Sequence, residues 1–285
     1  MGEQLAGLAI ARTLAELRAQ VAAWRASGAR IALVPTMGAL HAGHLALVAE
    51  ARRRAPRTIT SIFVNPTQFA PHEDFGKYPR TFESDCAALK SAGCDLVWAP
   101  TVPVMYPEGF ATRVQPAGAA TGLESDFRPH FFGGVATVCA KLFLQTQADF
   151  ALFGEKDYQQ LQVVRQMVRD LDIAIEIVGH PTVREPDGLA MSSRNAYLSP
   201  EDRQRAPLLH AAIVDVARGV ASGHAAGELV AAARKRLADA GFRVDYVEVR
   251  HAETLAPLEA ASTGPRRVLA AAWLGTTRLI DNVAV

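Results

Sequence analysis

The chain has 285 residues, 49% of them hydrophobic and 21% charged, with a formal net charge of +1. That is ordinary globular composition with room for one large domain or two modest ones, and the near-neutral balance excludes a protein that holds nucleic acid or anionic membrane by bulk charge. Cys86, Cys94 and Cys139 form no Cys-x-x-Cys pair, so neither a disulfide framework nor a zinc ribbon is indicated.

The opening MGEQLAGLAIARTLAEL has an acidic third residue and no basic segment before an apolar core, and does not read as a signal peptide. The longest apolar stretches, such as Val268–Leu274, fall short of a bilayer span. A cytoplasmic protein with neither nucleic-acid nor membrane partners is expected.

Thr13 opens TLAELRAQVAAWRASG with Glu16 three residues on, a capping-box pattern that closes at Ser27-Gly28. Ile31–Val34 reads as a short buried strand, Leu45–Arg54 as a helix, and β-branched TITSIFVN (58–65) as a second strand. Leu96–Trp98 and Phe150–Phe153 are further short apolar runs, each followed by loop residues. DYQQLQVVRQMVRDLD is a helix with Asp157 as N-cap and Gln160 three on, followed by a strand at Ile173–Val178. Strands alternating with helices of this length imply parallel βαβ units, hence an α/β fold with a doubly wound sheet. Ligands of such sheets sit beyond the carboxyl ends of the strands, so the loops after Val34, Val64 and Phe153 are expected to converge on one cleft.

Beyond GHPTVREPDGLAMSSRN the texture changes. Ser199-Pro200 is an N-cap and N1 pair, a second helix spans about Gly227–Ala240, and FRVDYVEVRH and RRVLAAAWLG are strand-like. This predicts a smaller α+β domain, with the chain divided into 1–179 and 180–285.

Between strand and helix, PTMGALHAGHLAL places His41 and His44 around Gly43. Metal-binding histidine pairs usually recur at i, i+4 with a third ligand nearby, and no cysteine or acidic residue stands beside this pair. A helix N-terminus after glycines offers N–H groups and a positive dipole end, which suits phosphate, and imidazoles there donate to phosphate oxygens. Taken alone, the pair is equally consistent with surface turn residues. It is not a G-x-G-x-x-G fingerprint, and neither nicotinamide nor flavin is expected.

Three more loops carry polar chemistry. In FVNPTQF, Asn65 and Gln68 bring amides that both donate and accept, suited to a hydroxy acid or to an ordinary turn. In LFGEKDYQQL, Gly154 permits close backbone approach, and Lys156 precedes a helix whose dipole disfavours a cation, which points to an anion. In AMSSRN, Ser192, Ser193 and Arg194 supply hydroxyls and a planar guanidinium fork on a loop between the expected domains, a phosphate site or a solvated linker.

Together and in order, MGALHAGH, FVNPTQF, FGEKDYQQL and AMSSRN closely resemble the pantoate–β-alanine ligase family, from about Ile31 through Leu198. The closing LGTTRLIDNV is also similar to the family's last strand. The family belongs to the H-I-G-H nucleotidylyltransferase superfamily, with MSSR in place of the K-M-S-K-S loop. The resemblance implies a Rossmann-like N-terminal domain, a smaller C-terminal lid and a homodimer.

It implies ATP at Met37, Gly38, Ala39, Leu40, His41, Ala42, Gly43 and His44, at Gly154, Glu155, Lys156 and Asp157, at Val183, and at Met191, Ser192, Ser193 and Arg194. It implies pantoate at Gln68 and Gln160, with Gln68 also near β-alanine, and His44 as proton donor. Asn65 and Tyr78 carry over more weakly. His41, His44, Lys156 and Arg194 form the expected catalytic set. Mg2+ is expected with the triphosphate, and Asp85 is the one carboxylate considered for it. The family commonly has Gly-His-Phe after an Arg-Pro; this chain reads FRPHFFGG, with His130 one place early and Phe131 where histidine is expected. The segment from Arg128 to Gly134 is therefore left out of the site set.

The implied reaction activates the pantoate carboxylate as an acyl adenylate, releases pyrophosphate, and lets the β-alanine amine displace AMP. Water must be excluded between the two steps, and the DGLAMSSRN loop with the C-terminal domain is the candidate closing element, Gly188 giving it backbone freedom. A simple nucleotidylyltransferase or an inactive nucleotide-binding module is the competing reading.

Overall fold

The computed structural model describes residues 3–5, 7–69, 76, 81–258 and 264–285; Tyr78 lies outside them. In chain order come β1 (Glu3–Leu5), β2 (Leu8–Ala11), α1 (Leu14–Ala26), β3 (Ile31–Thr36), α2 (Ala42–Arg54), β4 (Arg57–Ile62), α3 (Phe82–Ser91), β5 (Leu96–Trp98) and α4 (Val102–Met105). There follow α5 (Glu124–Phe127), α6 (Phe131–Thr146), β6 (Phe150–Gly154), α7 (Tyr158–Asp170) and β7 (Glu176–His180). The remainder is α8 (Pro200–Arg205), α9 (Leu208–Ala221), α10 (Ala226–Asp239), β8 (Arg243–His251), β9 (Arg266–Leu274) and β10 (Thr277–Ala284). One packed unit comprises Met1–Ala117, Arg128–Glu155 and Val163–Pro181; the other comprises Gly118–Phe127, Lys156–Gln162 and Thr182–Val285.

The first unit holds a seven-stranded sheet in the order β1-β2-β5-β4-β3-β6-β7. Every neighbouring pair is parallel except β1 with β2. Ile31, Ala32, Leu33 and Val34 are all fully buried, as a parallel strand covered on both faces must be. Asp149 fixes the entry to β3, accepting from the Ile31 amide at 2.7 Å and from the Arg25 guanidinium at 2.9 Å. On one side of the sheet Val48 and Ala51 of α2 and Cys86 and Leu89 of α3 share a core with Val34, Val97 and Leu152.

The chain runs from β3 outward through β4 to β5, then returns to place β6 on the other flank of β3. The strand order therefore reverses between β3 and β6, the position where open α/β sheets bind ligands. Since β4, β3 and β6 are adjacent and parallel, the loops leaving Thr36, Ile62 and Gly154 start from one edge.

Several expected boundaries move, and β4 ends at Ile62, not Asn65. α2 begins at Ala42, not Leu45, so Gly43 lies within its first turn. The last strand of the sheet begins at Glu176, not Ile173. Asp172 takes a left-handed φ of 52° and the Ile173 carbonyl accepts from the Ile175 amide at 2.8 Å, so the chain is still turning there.

The second unit carries an antiparallel sheet in the order β10-β9-β8. Leu209, Ile213 and Val216 of α9 and Leu237 of α10 pack with Val268, Ala270 and Ala272 of β9. The Ser199 hydroxyl caps α8 by accepting the Asp202 amide at 3.1 Å, with Pro200 at the first helical position. A heavily buried cation in this unit is balanced: Arg278 donates to Glu124 at 2.7 Å and 2.8 Å and to Asp245 at 2.8 Å. Burial alone would push this guanidinium down, yet the carboxylates hold it above its ordinary value. No helix among the described residues is long and apolar enough to cross a membrane.

Candidate active site

The loop after β3 is built for a backbone no ordinary sequence adopts. Gly38 has a φ of 87° and Ala39 a φ of 53°. A Cβ on Gly38 would stand 3.1 Å from an Asp85 oxygen and 3.3 Å from Ile62, so glycine is required for both torsion and space. Ala39 is held in its left-handed state by Asp85 at the start of α3, whose carboxylate accepts the Ala39 and Leu40 amides at 2.9 Å each and the Thr81 hydroxyl at 3.1 Å. Asp85 is 4% exposed. Behind the turn, the Thr36 hydroxyl donates to the Ser61 carbonyl at 2.6 Å and accepts the Gly38 amide at 3.3 Å.

His41 is the N-cap of α2, filling a position usually taken by serine or aspartate. Its Nδ1 accepts the Gly43 amide at 3.1 Å, and His44 Nδ1 accepts the His41 amide at 3.3 Å. The rings lie 4.1 Å apart between centroids, tilted by 42°. Two Nδ1 atoms used as acceptors leave the proton of each neutral imidazole on Nε2. The helix cap thereby selects the tautomer in which Nε2 is the donor.

Asn65 and Gln68 occupy a turn of 3-10 helix after β4. Asn65 is 1% exposed and fully engaged. It donates to Gln68 Oε1 at 3.0 Å and to the Gly134 carbonyl at 3.2 Å, and accepts from the hydroxyls of Tyr106 at 2.8 Å and Thr67 at 2.9 Å. Its amide therefore orients Gln68, whose Nε2 lies 3.1 Å from Met37 Sδ.

The segment set aside from sequence packs against this same turn. Arg128 donates to the Gln68 carbonyl at 3.1 Å, and a Cβ on Gly134 would fall 2.5 Å from the Thr67 carbonyl. Phe131, standing where histidine is expected, lies beneath the Arg128 guanidinium at 4.0 Å.

Gly154 and Glu155, like Met37 to His44 and Gln68, belong to the first unit, whereas Lys156, Asp157, Gln160, Val183 and Met191 to Arg194 belong to the second. Lys156 sits in a short 3-10 turn between β6 and α7, its ammonium 3.8 Å from Asp157. Its carbonyl accepts the Asn282 amide at 2.9 Å. Gln160 is half-buried on the first turn of α7. Val183 and Met191 come together as the ends of a hairpin, the Met191 amide donating to the Val183 carbonyl at 3.0 Å. Gly188, with a φ of 93°, makes the hairpin's turn. Ser192 caps the following 3-10 turn, accepting the Arg194 amide at 3.3 Å.

Among the described residues no group of three or more His, Cys, Asp or Glu side chains could hold a metal ion. Asp85 in particular does not fit that role, because three hydrogen bonds already use its carboxylate to shape the loop. Thiolate chemistry is also unsupported: burial pushes Cys139 up to about 12 and Cys86 up to about 11.

The family model described as pantoate-beta-alanine ligase matches residues 9–284. A pantothenate synthetase of Nitrobacter hamburgensis is 59% identical over 278 residues, covering 97% of this chain and 98% of that protein. One from Rhodopseudomonas palustris is 58% identical over 277 residues, with the same coverage of each. The crystal structure of pantothenate synthetase from Thermus thermophilus superposes with a TM-score of 0.89 at 50% identity, covering 96% of this chain and 98% of that one. The pantoate-beta-alanine ligase of Francisella tularensis, solved with beta-gamma ATP and beta-alanine, has a TM-score of 0.80 at 32% identity and covers 97% of both chains.

Proposed function

The chain belongs to the pantoate–β-alanine ligase family and joins pantoate to β-alanine with ATP, and we propose that it does so with the residues of four loops. The carrying observation is the tautomer set by the α2 cap: His41 and His44 give their Nδ1 atoms to backbone amides and keep Nε2 as donor.

The pantoate carboxylate attacks the α-phosphorus of ATP and expels pyrophosphate, forming a pantoyl adenylate. The β-alanine amine then attacks its carbonyl, and AMP leaves. A carboxylate does not condense with an amine unaided because its oxygen is a poor leaving group; adenylation replaces it with a good one. The reaction so written requires no covalent nucleophile from the chain. Its contribution is orientation and stabilisation of developing charge.

In this reading Gly38 to His44 offers backbone amides and a helix N-terminus to phosphate. His44 Nε2–H donates a hydrogen bond to the departing phosphate group as its charge builds, and His41, Lys156 and Arg194 stabilise phosphate charge. Gln68, oriented by Asn65, holds pantoate with Gln160 and also meets β-alanine. Mg2+ travels with the triphosphate as part of the substrate, held by phosphate oxygens. The Met191 to Arg194 segment, at the free end of the hairpin, closes over ATP. A homodimer in the cytoplasm completes the proposal.

The experiment is single-turnover pyrophosphate release. Lys156→Ala and His44→Ala should each slow it about 100- to 1000-fold, the typical weight of one preorganised donor. Rates near wild type in both would remove the assignment. AMP formation should require pantoate and β-alanine together, which distinguishes a ligase from a plain nucleotidylyltransferase.

A further inference from the structure

The closing LGTTRLIDNV stretch has no part in the reaction as described, yet two of its residues hold expected ATP-binding segments. Asp281 and Asn282 are neighbours on β10 and are 4% and 3% exposed. Asp281 receives both Arg184 guanidinium nitrogens at 2.7 Å and 2.9 Å. Arg184 in turn donates to the Gly188 carbonyl at 3.0 Å, securing the hairpin that joins Val183 to Met191.

Asn282 donates through Nδ2 to the Lys156 carbonyl at 2.9 Å and accepts through Oδ1 from Arg267 Nε at 2.7 Å. Arg267 lies 3.8 Å above the Tyr158 ring, two residues beyond Lys156. Both ends of the Asn282 amide are thus committed, which fixes its flip: the nitrogen faces Lys156 because the oxygen faces a cation.

We propose that Asn282 is a positioning residue for Lys156, fixing the peptide group from which the lysine side chain reaches its substrate. The physical need is plain. A lysine side chain is a flexible four-carbon stem, and its reach is defined only if its backbone is. The turn that carries Lys156 is three residues long, too short to define itself. The proposal rests on the catalytic reading of Lys156 given above.

Asn282→Asp tests it, since the carboxylate preserves size and the Arg267 partner while setting oxygen against the Lys156 carbonyl. Pyrophosphate release would be measured in single turnover for the wild type, Asn282→Asp, Lys156→Ala and the double variant, all as full-length protein. Asn282→Asp should slow release about 10- to 100-fold, the scale of a displacement near 1 Å. In the Lys156→Ala background the same change should slow release less than about twofold, because residues acting as one unit are not additive. A purely structural residue would give multiplying losses, and slow Lys156→Ala with fully multiplying effects overturns the positioning role alone. Wild-type speed in Lys156→Ala overturns the reading of the lysine and the proposal with it. Asn282→Ser, which removes the amide without adding charge, serves with the same expectations if Asn282→Asp shows no cooperative melt.

Discussion

Asp85 accepts the Ala39 amide at 2.9 Å across 46 residues of chain, and in doing so holds a non-glycine residue in a left-handed backbone state. A carboxylate that resembles a metal ligand in sequence is in fact a clamp on the turn between β3 and α2. Asp85→Asn keeps one oxygen acceptor and turns an N–H group toward the other amide. A hydrogen bond to a charged group is worth about 1.5–3 kcal/mol, so the KM for ATP should rise about 10- to 100-fold. Steady-state titrations of ATP and pantoate check this; an unchanged KM for ATP refutes the clamp.

His44→Asn separates helix capping from chemistry. The asparagine oxygen replaces Nδ1 as acceptor of the His41 amide but reaches no further. The melting midpoint should stay close to that of the wild type while adenylation slows about 100- to 1000-fold. Thermal melts paired with single-turnover rates decide it.

Gly134→Ala places a methyl 2.5 Å from the Thr67 carbonyl oxygen. Overpacking of this kind costs about 1–3 kcal/mol, and the displaced group is the turn that carries Gln68. Denaturant melts should show the loss. The KM for pantoate should rise more than that for ATP, and an equal rise in both would disconnect Gly134 from the pantoate site.

Asp281 gives a signed pH dependence. Burial raises its pKa, but hydrogen bonds from His210 and Arg184, with the Arg184 charge, outweigh burial and hold it below the usual carboxylate value. The unfolded chain therefore takes up a proton first as pH falls. The stabilisation is fully present above about pH 3.9, the unfolded value, and is lost as pH drops through the lower folded value. At neutral pH Asp281→Asn should cost about 3–5 kcal/mol, as expected for a broken buried ion pair. Chemical denaturation at successively lower pH should show the gap between the two proteins closing, and a gap that widens in acid would contradict the sign.

Trypsin offers a direct view of the Met191 to Arg194 segment. Cleavage after Arg194 should slow when ATP and pantoate are added together, followed by mass spectrometry of the fragments. Equal cleavage with and without substrates removes the closing role of this segment.

The alternation of helix and strand was legible because each element carries its own local signal. The Thr13–Glu16 box and the Ser199-Pro200 start both appear where the residues placed them. The α2 start was missed by three residues because histidine is not an expected N-cap, and the last parallel strand shifted because Asp172 gave no sign of its left-handed turn. Asp85, Arg128, Gly134 and Asn282 were invisible as supports for the site. Each acts across a long stretch of chain, by a hydrogen bond or a missing side chain, and no periodicity records such a partnership. Asn65 was legible as an amide on a loop, but its four internal partners make it the support of Gln68.

The packed unit that contains the C-terminal sheet is assembled from three separate stretches of chain. A cut after residue 181 intended to isolate that sheet would leave behind Gly118–Phe127 and Lys156–Gln162. Arg278 would then lose Glu124, and Asn282 would lose the Lys156 carbonyl. The excised fragment would carry a desolvated cation with half its counter-charge gone, so the piece that looks most separable on paper is poorly suited to life as an independent fragment.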